Sequence, residues 1–264
     1  MMRKECAKPL AVRGLMIGGK RPLVCLPLVA ATEDDLVRAA RKCLALMPDL
    51  LEWRVDWFAA FADARKVMAA LARLRAEVDD LPLIFTCRDE KEGGARPITF
   101  DQRFSLMVSA LASGMCDLLD VELAAGEQTI AALAAVAQAT STRLIISCHD
   151  FTATPDAATI VSWLRRARDL GGDVAKAAVT PQQPEDILTL LSATCKARQE
   201  LEIPLITMAM GRDGRISRLA GGLFGSDVTF AAGVGASAPG QIRIGPLREA
   251  MRLLYPQTRK TKTR

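Results

Sequence analysis

One lysine stands in the middle of an apolar run, Val174-Ala175-Lys176-Ala177-Ala178-Val179. An ammonium group in such a place must pair with a carboxylate or work as a nucleophile, because an isolated buried charge is strongly disfavoured. In the second role its free amine attacks a carbonyl carbon, and a neighbouring cation, Arg54 or Arg88, would favour that uncharged form. The only histidine of the chain, His149, closes another apolar run, Leu144-Ile145-Ile146-Ser147-Cys148-His149-Asp150. A lone histidine is commonly structural, yet an imidazole at the end of a buried strand can exchange protons near neutral pH. A strand lysine, a histidine and several arginines together suit imine-assisted chemistry on an anionic ketone. The iminium carbon acidifies the adjacent C–H bond, and the histidine removes that proton.

Other charges cluster in the same way. Glu52, Arg54 and Asp56 alternate in Leu51-Glu52-Trp53-Arg54-Val55-Asp56, so a strand would project all three from one face. They form either a structural ion-pair network or the polar mouth of a site. Thr86-Cys87-Arg88 runs into Asp89-Glu90-Lys91-Glu92-Gly93-Gly94, a charged loop with a glycine pair that suits a mobile cover. Ser217-Arg218 and the Gly/Ser-rich stretch 235–241 have the character of anion-binding segments.

These residues need a scaffold that brings strand ends together. Apolar β-rich runs recur about every thirty residues, at 23–30, 50–57, 82–88, 117–123, 143–150, 173–180, 204–210 and 227–234. Helical patterns lie between them at 33–47, 63–78, 100–113, 127–139, 156–170, 184–199, 214–223 and 240–254. Thr32 before Glu33-Asp34-Asp35 predicts a capped helix start, and Thr154-Pro155-Asp156 predicts another with proline in the first turn. Gly171-Gly172 predicts a helix end. Eight βα units, with no G-x-G-x-x-G turn after the first strand, point to a single-domain α/β chain folded as a (β/α)8 TIM barrel spanning 23–255. Residues 1–22 are expected to form a hairpin, turning at Gly18-Gly19, that closes the barrel bottom. Residues 256–264 are expected to be a disordered basic tail.

Composition narrows the function classes. The chain has 264 residues, 50% of them hydrophobic and 5% aromatic, which suits helices packed on a buried sheet. Seven cysteines are scattered without a C-x-x-C pair, so neither a disulfide framework nor a zinc site is expected. With one histidine and dispersed cysteines the chain predicts no metal site. The net charge of +5 is partly in the tail and suits a small anionic substrate better than nucleic acid. The amino-terminal residues lack a signal-peptide core, and no apolar run reaches membrane-spanning length, so a cytoplasmic enzyme without a membrane partner is expected.

The chain resembles the type I 3-dehydroquinate dehydratases over 23–254. The motifs that carry the resemblance are LEWRVD at 51–56, R-x-x-x-E-G-G at 88–94, DVEL at 120–123 and S-x-H-D at 147–150, followed by AKAAV at 175–179, MAM at 208–210, SRL at 217–219 and SAPGQ at 237–241. The resemblance implies a barrel, commonly a homodimer, that dehydrates 3-dehydroquinate in the shikimate pathway without metal or organic cofactor. It makes Lys176 the Schiff-base lysine, His149 the proton donor and acceptor, and Glu92 the carboxylate that orients this histidine. Arg218 is implied to meet the substrate carboxylate. Glu52, Arg54, Arg88, Ser237 and Gln241 are implied hydroxyl and rim contacts, and Met208, Met210 and Phe230 the apolar wall.

Two positions depart from the family's pattern. Cys148 precedes the histidine where relatives often carry Tyr, His or Asn, and Pro27 stands where many carry a substrate-contacting serine. Two rival readings are a class I aldolase, which shares the strand lysine, and a degenerate barrel kept as a metabolite-sensing domain. The Glu92–His149 pair and the SAPGQ loop favour dehydration over aldol cleavage. Retention of both Lys176 and His149 counts against degeneracy.

Overall fold

Once buried, the apolar runs can satisfy their backbone N–H and C=O groups only by pairing with one another. The computed structural model describes residues 3–255. A short hairpin, β1 (Leu10–Val12) and β2 (Leu15–Ile17), leads into β3 (Leu23–Leu28), α1 (Glu33–Leu44), β4 (Leu50–Arg54), α2 (Ala64–Val78), β5 (Leu83–Thr86) and α3 (Phe100–Ser113). Then come β6 (Leu118–Glu122), α4 (Glu127–Ala139), β7 (Arg143–His149), α5 (Ala157–Asp169), β8 (Val174–Val179) and α6 (Pro184–Glu200). The chain continues with β9 (Leu205–Ala209), α7 (Arg215–Phe224), β10 (Val228–Phe230) and α8 (Ile244–Leu254). From β3 to β9 each strand bonds in parallel to the next, and β10 returns to β3, giving the expected eight-stranded (β/α)8 barrel.

Side chains alternate between the helix layer and the lumen. Leu51, Trp53, Leu119, Val121, Ala175 and Ala177 belong to the large core beneath the helices. Leu50, Ile84, Leu118, Ile145, Val174 and Ile206 form a smaller core at the floor of the lumen. Higher on the same inward faces stand the buried Glu52, Thr86, Asp120, Ser147 and Lys176. The barrel is thus apolar below and charged above.

The hairpin packs Val12 and Ile17 into the floor core. Its turn is Arg13-Gly14, with φ of 43° and 73°, rather than the expected Gly18-Gly19. Two successive positive φ values match the right-handed twist of a two-residue hairpin loop. Gly18 instead permits a close approach, since a Cβ there would strike Cys6.

The floor is stapled by one device used four times. Asp49, Asp117, Asp173 and Asp227 precede β4, β6, β8 and β10. Each sends its N–H to the carbonyl of Val24, Leu83, Leu144 or Leu205 on the preceding strand, at 2.6–2.9 Å. Its carboxylate accepts that residue's own N–H at 2.8 Å in all four cases. Each aspartate also holds arginine: Arg21, Arg13 with Arg75, Arg143, and Arg3 with Arg198, respectively.

Helix ends follow the expected chemistry with two shifts. Thr32 caps α1 by accepting the Asp35 N–H. Gly171 and Gly172 bond back to Arg168 and Ala167, closing α5 as a Schellman motif. The cap of α5 is Asp156, which accepts the Thr159 N–H, so Thr154 and Pro155 lie before the helix. Helix α8 begins at Ile244 and not at 240, because Gly240 has φ of 78° and seats its backbone against Gly211. The expected tail, 256–264, lies outside the described residues. Among these, no helix is long and apolar enough to cross a membrane.

Candidate active site

At the open end of the lumen a cavity of about 450 Å³ is lined by Glu52, Arg54, Arg88, Glu92, His149, Lys176, Met208, Met210, Arg218, Phe230, Ser237 and Gln241. These are all the residues to which the sequence reading gave a catalytic or binding role, and they arrive from the strands and the loops after them, except Arg218, which comes from α7. Gly93, Phe151, Ala178 and Ala238 complete the lining. Neither Cys148 nor Pro27 reaches the cavity. Burial pushes the Cys148 thiol up to about 12, so it stays protonated.

Lys176 is held at the centre by a carboxylate. Its Nζ lies 2.7 Å from Asp120 Oδ2 and 4.0 Å from Glu52 Oε1. It also sits 4.9 Å from the centre of the Phe230 ring, whose face attracts a cation. Both expected cationic neighbours line the same cavity, each bound to a carboxylate. Arg54 is bound to Asp56, and Arg88 meets the lysine only through Asp120. Ser147 Oγ donates to Asp120 Oδ1 at 2.6 Å, and Arg88 Nη2 lies 2.8 Å from the same oxygen. Burial opposes the charge on Asp120, but Arg88 and Lys176 outweigh it and hold the carboxyl well below the usual range. Arg88 also bonds Glu122 at 2.8 Å, and Glu122 in turn receives Arg103 at 2.8 Å.

His149 is set by Glu92. Oε2 of Glu92 accepts the His149 backbone N–H at 2.9 Å and lies 2.9 Å from its Nδ1. This leaves Nε2 as the ring atom free for proton transfer. Glu92 occupies a 3-10 turn, Glu90–Glu92, ended by Gly93 in the left-handed region at φ 86°. A side chain on Gly93 would collide with Phe151. Burial, reinforced by Glu122, raises the Glu92 carboxyl to about 7. Burial, with Arg88 and Lys176 close by, lowers His149 well below the ordinary imidazole value. The imidazole is therefore neutral, and an ionised Glu92 is the group that can stabilise its protonated form.

Asp56 does not continue the strand face as expected, since β4 stops at Arg54. It lies in the 3-10 turn Val55–Trp57, and both its oxygens grip the Arg54 guanidinium, at 2.8 and 2.7 Å. It also accepts the Ala95 N–H at 2.9 Å, and Arg54 Nη2 donates to Gly93 O at 3.0 Å. These bonds fix the far end of the loop that carries Glu92. On the opposite rim, Ser237 N–H and Oγ bond the Gln241 amide at 3.0 and 3.3 Å.

Arg218, on α7, differs from every other arginine of the site. It is only 3% exposed, yet among the described residues no carboxylate pairs with it. Its donors reach Met208 Sδ and Phe230 O at 3.4 Å and Pro239 O at 3.2 Å, and its Nε has no partner. Burial alone lowers it from 12.5 to about 10. A guanidinium so placed lacks an anion.

Sequence reasoning assigned no role to Asp120, Glu122, Ser147 or Phe151, and for Asp56 the ion-pair alternative is the one the structure shows. The signal for two of them was present, because Asp120 and Glu122 alternate in a buried run as Glu52 and Arg54 do. Among the described residues no cluster of His, Cys, Asp and Glu is arranged to hold a metal ion.

A barrel with a lysine inside its mouth, a carboxylate-held histidine beside it and an unpaired arginine at the rim defines a class of enzyme that acts on anionic carbonyl compounds. The family model of type I 3-dehydroquinase matches residues 24–258. A 3-dehydroquinate dehydratase of Geobacillus kaustophilus is 44% identical over 96% of this chain and 98% of its own. One from Klebsiella pneumoniae is 44% identical over 93% and 98%. The crystal structure of the G. kaustophilus enzyme superposes with a TM-score of 0.92 at 43% identity, covering 98% of this chain and 99% of that one. That of the type I enzyme from Clostridium difficile gives 0.90 at 38% identity, covering 96% and 98%. The chain belongs to the type I 3-dehydroquinase family.

Proposed function

We propose that this enzyme converts 3-dehydroquinate to 3-dehydroshikimate through a Schiff base on Lys176, with His149 as general acid and base. The observation that carries the reading is Arg218, a buried cation without a counter-ion in the cavity that holds the lysine. A substrate carboxylate would supply the missing anion and orient the ring. The relative from C. difficile was solved with covalently modified comenic acid, which is in keeping with covalent chemistry in this enzyme.

The amine of Lys176 attacks the C3 ketone, and loss of water leaves an iminium. His149 Nε2 takes a proton from C2 while Glu92 stabilises the imidazolium through Nδ1. The resulting enamine expels the C1 hydroxyl, which leaves as water with the proton returned by His149. Hydrolysis then frees the product and the amine. Glu52, Arg54, Arg88, Ser237 and Gln241 bind hydroxyls around the ring, and Met208, Met210 and Phe230 exclude water from its apolar face. No step calls for a metal or cofactor. The homodimer and cytoplasmic location are part of the same reading, and free thiols at all seven cysteines suit a reducing compartment. Light scattering tests the dimer.

Borohydride reduction in the presence of 3-dehydroquinate, followed by intact mass and peptide mapping, tests the mechanism. One reduced adduct on Lys176, with loss of activity, is expected. Product formation without any adduct would overturn the covalent route. Aldol cleavage without dehydration would assign the lysine to the rival enzyme.

A further inference from the structure

The scheme above leaves idle the group closest to its nucleophile. Asp120 is 1% exposed, with Oδ2 at 2.7 Å from Lys176 Nζ. Its other oxygen is occupied by Ser147 Oγ and Arg88 Nη2. A carboxylate gripped in this way is a fixed anion and a poor base. We propose that Asp120 is the counter-ion of the Schiff base, holding the nitrogen of Lys176 protonated as an iminium while the substrate loses its C–H proton. This assignment rests on the imine reading above.

The proton balance explains why one fixed anion serves throughout. When the ammonium form condenses with a ketone, the carbonyl oxygen leaves as water with two of the three ammonium protons. The C=O double bond is replaced by a C=N double bond, and the third proton stays on nitrogen. The charge facing Asp120 is +1 before and after. A neutral imine withdraws electrons far less strongly, so the adjacent C–H would lose its acidity.

The surroundings make the counter-ion necessary. Just after β5 and at the end of β7, Arg88 and His149 bring a full charge and a proton acceptor that both favour the neutral imine. On β3, burial raises the Cys25 thiol well above its ordinary value, so it contributes no anion. On β4, Glu52 stands 4.0 Å away and accepts a hydrogen bond from Thr86 at 3.0 Å. On β10, the Phe230 ring face helps a cation, but weakly. Asp120 is the one anion of this set within hydrogen-bond distance.

Cyanoborohydride reduces an iminium and not a neutral imine, so it reads this protonation directly. Adduct yield on Lys176 with 3-dehydroquinate is measured against pH for the wild-type protein and for Asp120→Asn. An opposite charge at this distance moves a titration by about 1–3 pH units. The alkaline loss of trapping, and the alkaline limb of kcat, should therefore move down by that amount in the Asn variant, with Asp120→Glu moving it back. Identical limbs in wild-type and Asn proteins would overturn the proposal while leaving the imine intact. No wild-type adduct on Lys176 at any pH would instead defeat the imine reading itself. Should the variants fail to fold, the wild-type profile decides alone: trapping must persist well above neutrality, and its loss at or below neutrality overturns the proposal.

Discussion

Replacing Arg218 by methionine should make the protein more stable and the enzyme much worse. Burial lowers this guanidinium from 12.5 to about 10. At about 1.4 kcal/mol per pKa unit, holding the charge in the folded state at neutral pH costs about 3 kcal/mol. Against this stand three long contacts to a sulfur and two carbonyl oxygens, at 3.2–3.4 Å, each contributing about 0.5 kcal/mol. Methionine fills the space with an adaptable apolar chain. The net gain is about 1–2 kcal/mol, a rise of a few degrees in Tm. Losing one partner of a buried charge pair with the substrate carboxylate costs about 2–5 kcal/mol. That is roughly 30-fold to several thousand-fold in kcat/KM. Urea unfolding measures the first effect, and ultraviolet absorbance of the conjugated product measures the second. A variant less stable than its parent, or one with unchanged kcat/KM, would refute the reasoning.

A Glu92→Gln variant should lose the acid limb of the rate profile near pH 7. Below about 7 the parent carboxyl is protonated and cannot accept from Nδ1, so base catalysis rises as pH rises through that value. With glutamine the limb should follow His149 itself, at lower pH, and kcat should fall; a limb kept near 7 would exclude Glu92 as its source. Gly93→Ala should lower kcat more than it raises KM and cost about 1–2 kcal/mol, since φ of 86° and the Phe151 ring both oppose a Cβ. Steady-state kinetics and thermal melts check both halves of that expectation. Asp227→Asn strands the buried Arg3 and Arg198, so urea unfolding should show a loss of about 3–5 kcal/mol.

The barrel and its mouth were legible because one physical rule operates on every strand. Apolar residues at period two must face a core, and the charges that interrupt the pattern can gather only where the lumen opens. Hence Lys176, His149 and Glu52 were found from their places in apolar runs, and all the chosen residues line one cavity. Partnerships were not legible. Asp120 meets Lys176 across an intervening strand, in a register that sets Asp120 beside Ile145 and Ser147 beside Lys176. No spacing in the chain reveals that register. The same holds for the ring of floor aspartates, which read only as polar residues at the start of strands. Helix starts missed by a few residues where two candidates compete: Asp156 won over Thr154 because its carboxylate reaches the Thr159 amide. The hairpin turn was misplaced because a positive φ at Arg13 leaves no mark in the residue type.

The four floor clamps divide the barrel into pairs of strands: β3 with β4, β5 with β6, β7 with β8, β9 with β10. Among the described residues no such clamp crosses from β6 to β7. A chain cut at the exposed Ser141, between α4 and β7, would therefore keep the strand-to-aspartate bonds of all four clamps, two in each fragment, and part only Arg3 from Asp227. The nucleophile would then lie on one fragment and its proposed counter-ion on the other. Activity after mixing would report reassembly of the halves directly. The repeat suggests that the unit of construction in this fold is two strands with their helices, and that the enzyme is a ring of four such modules, the β7–β8 one carrying both Lys176 and His149 and its neighbours supplying Asp120, Glu92 and Arg218.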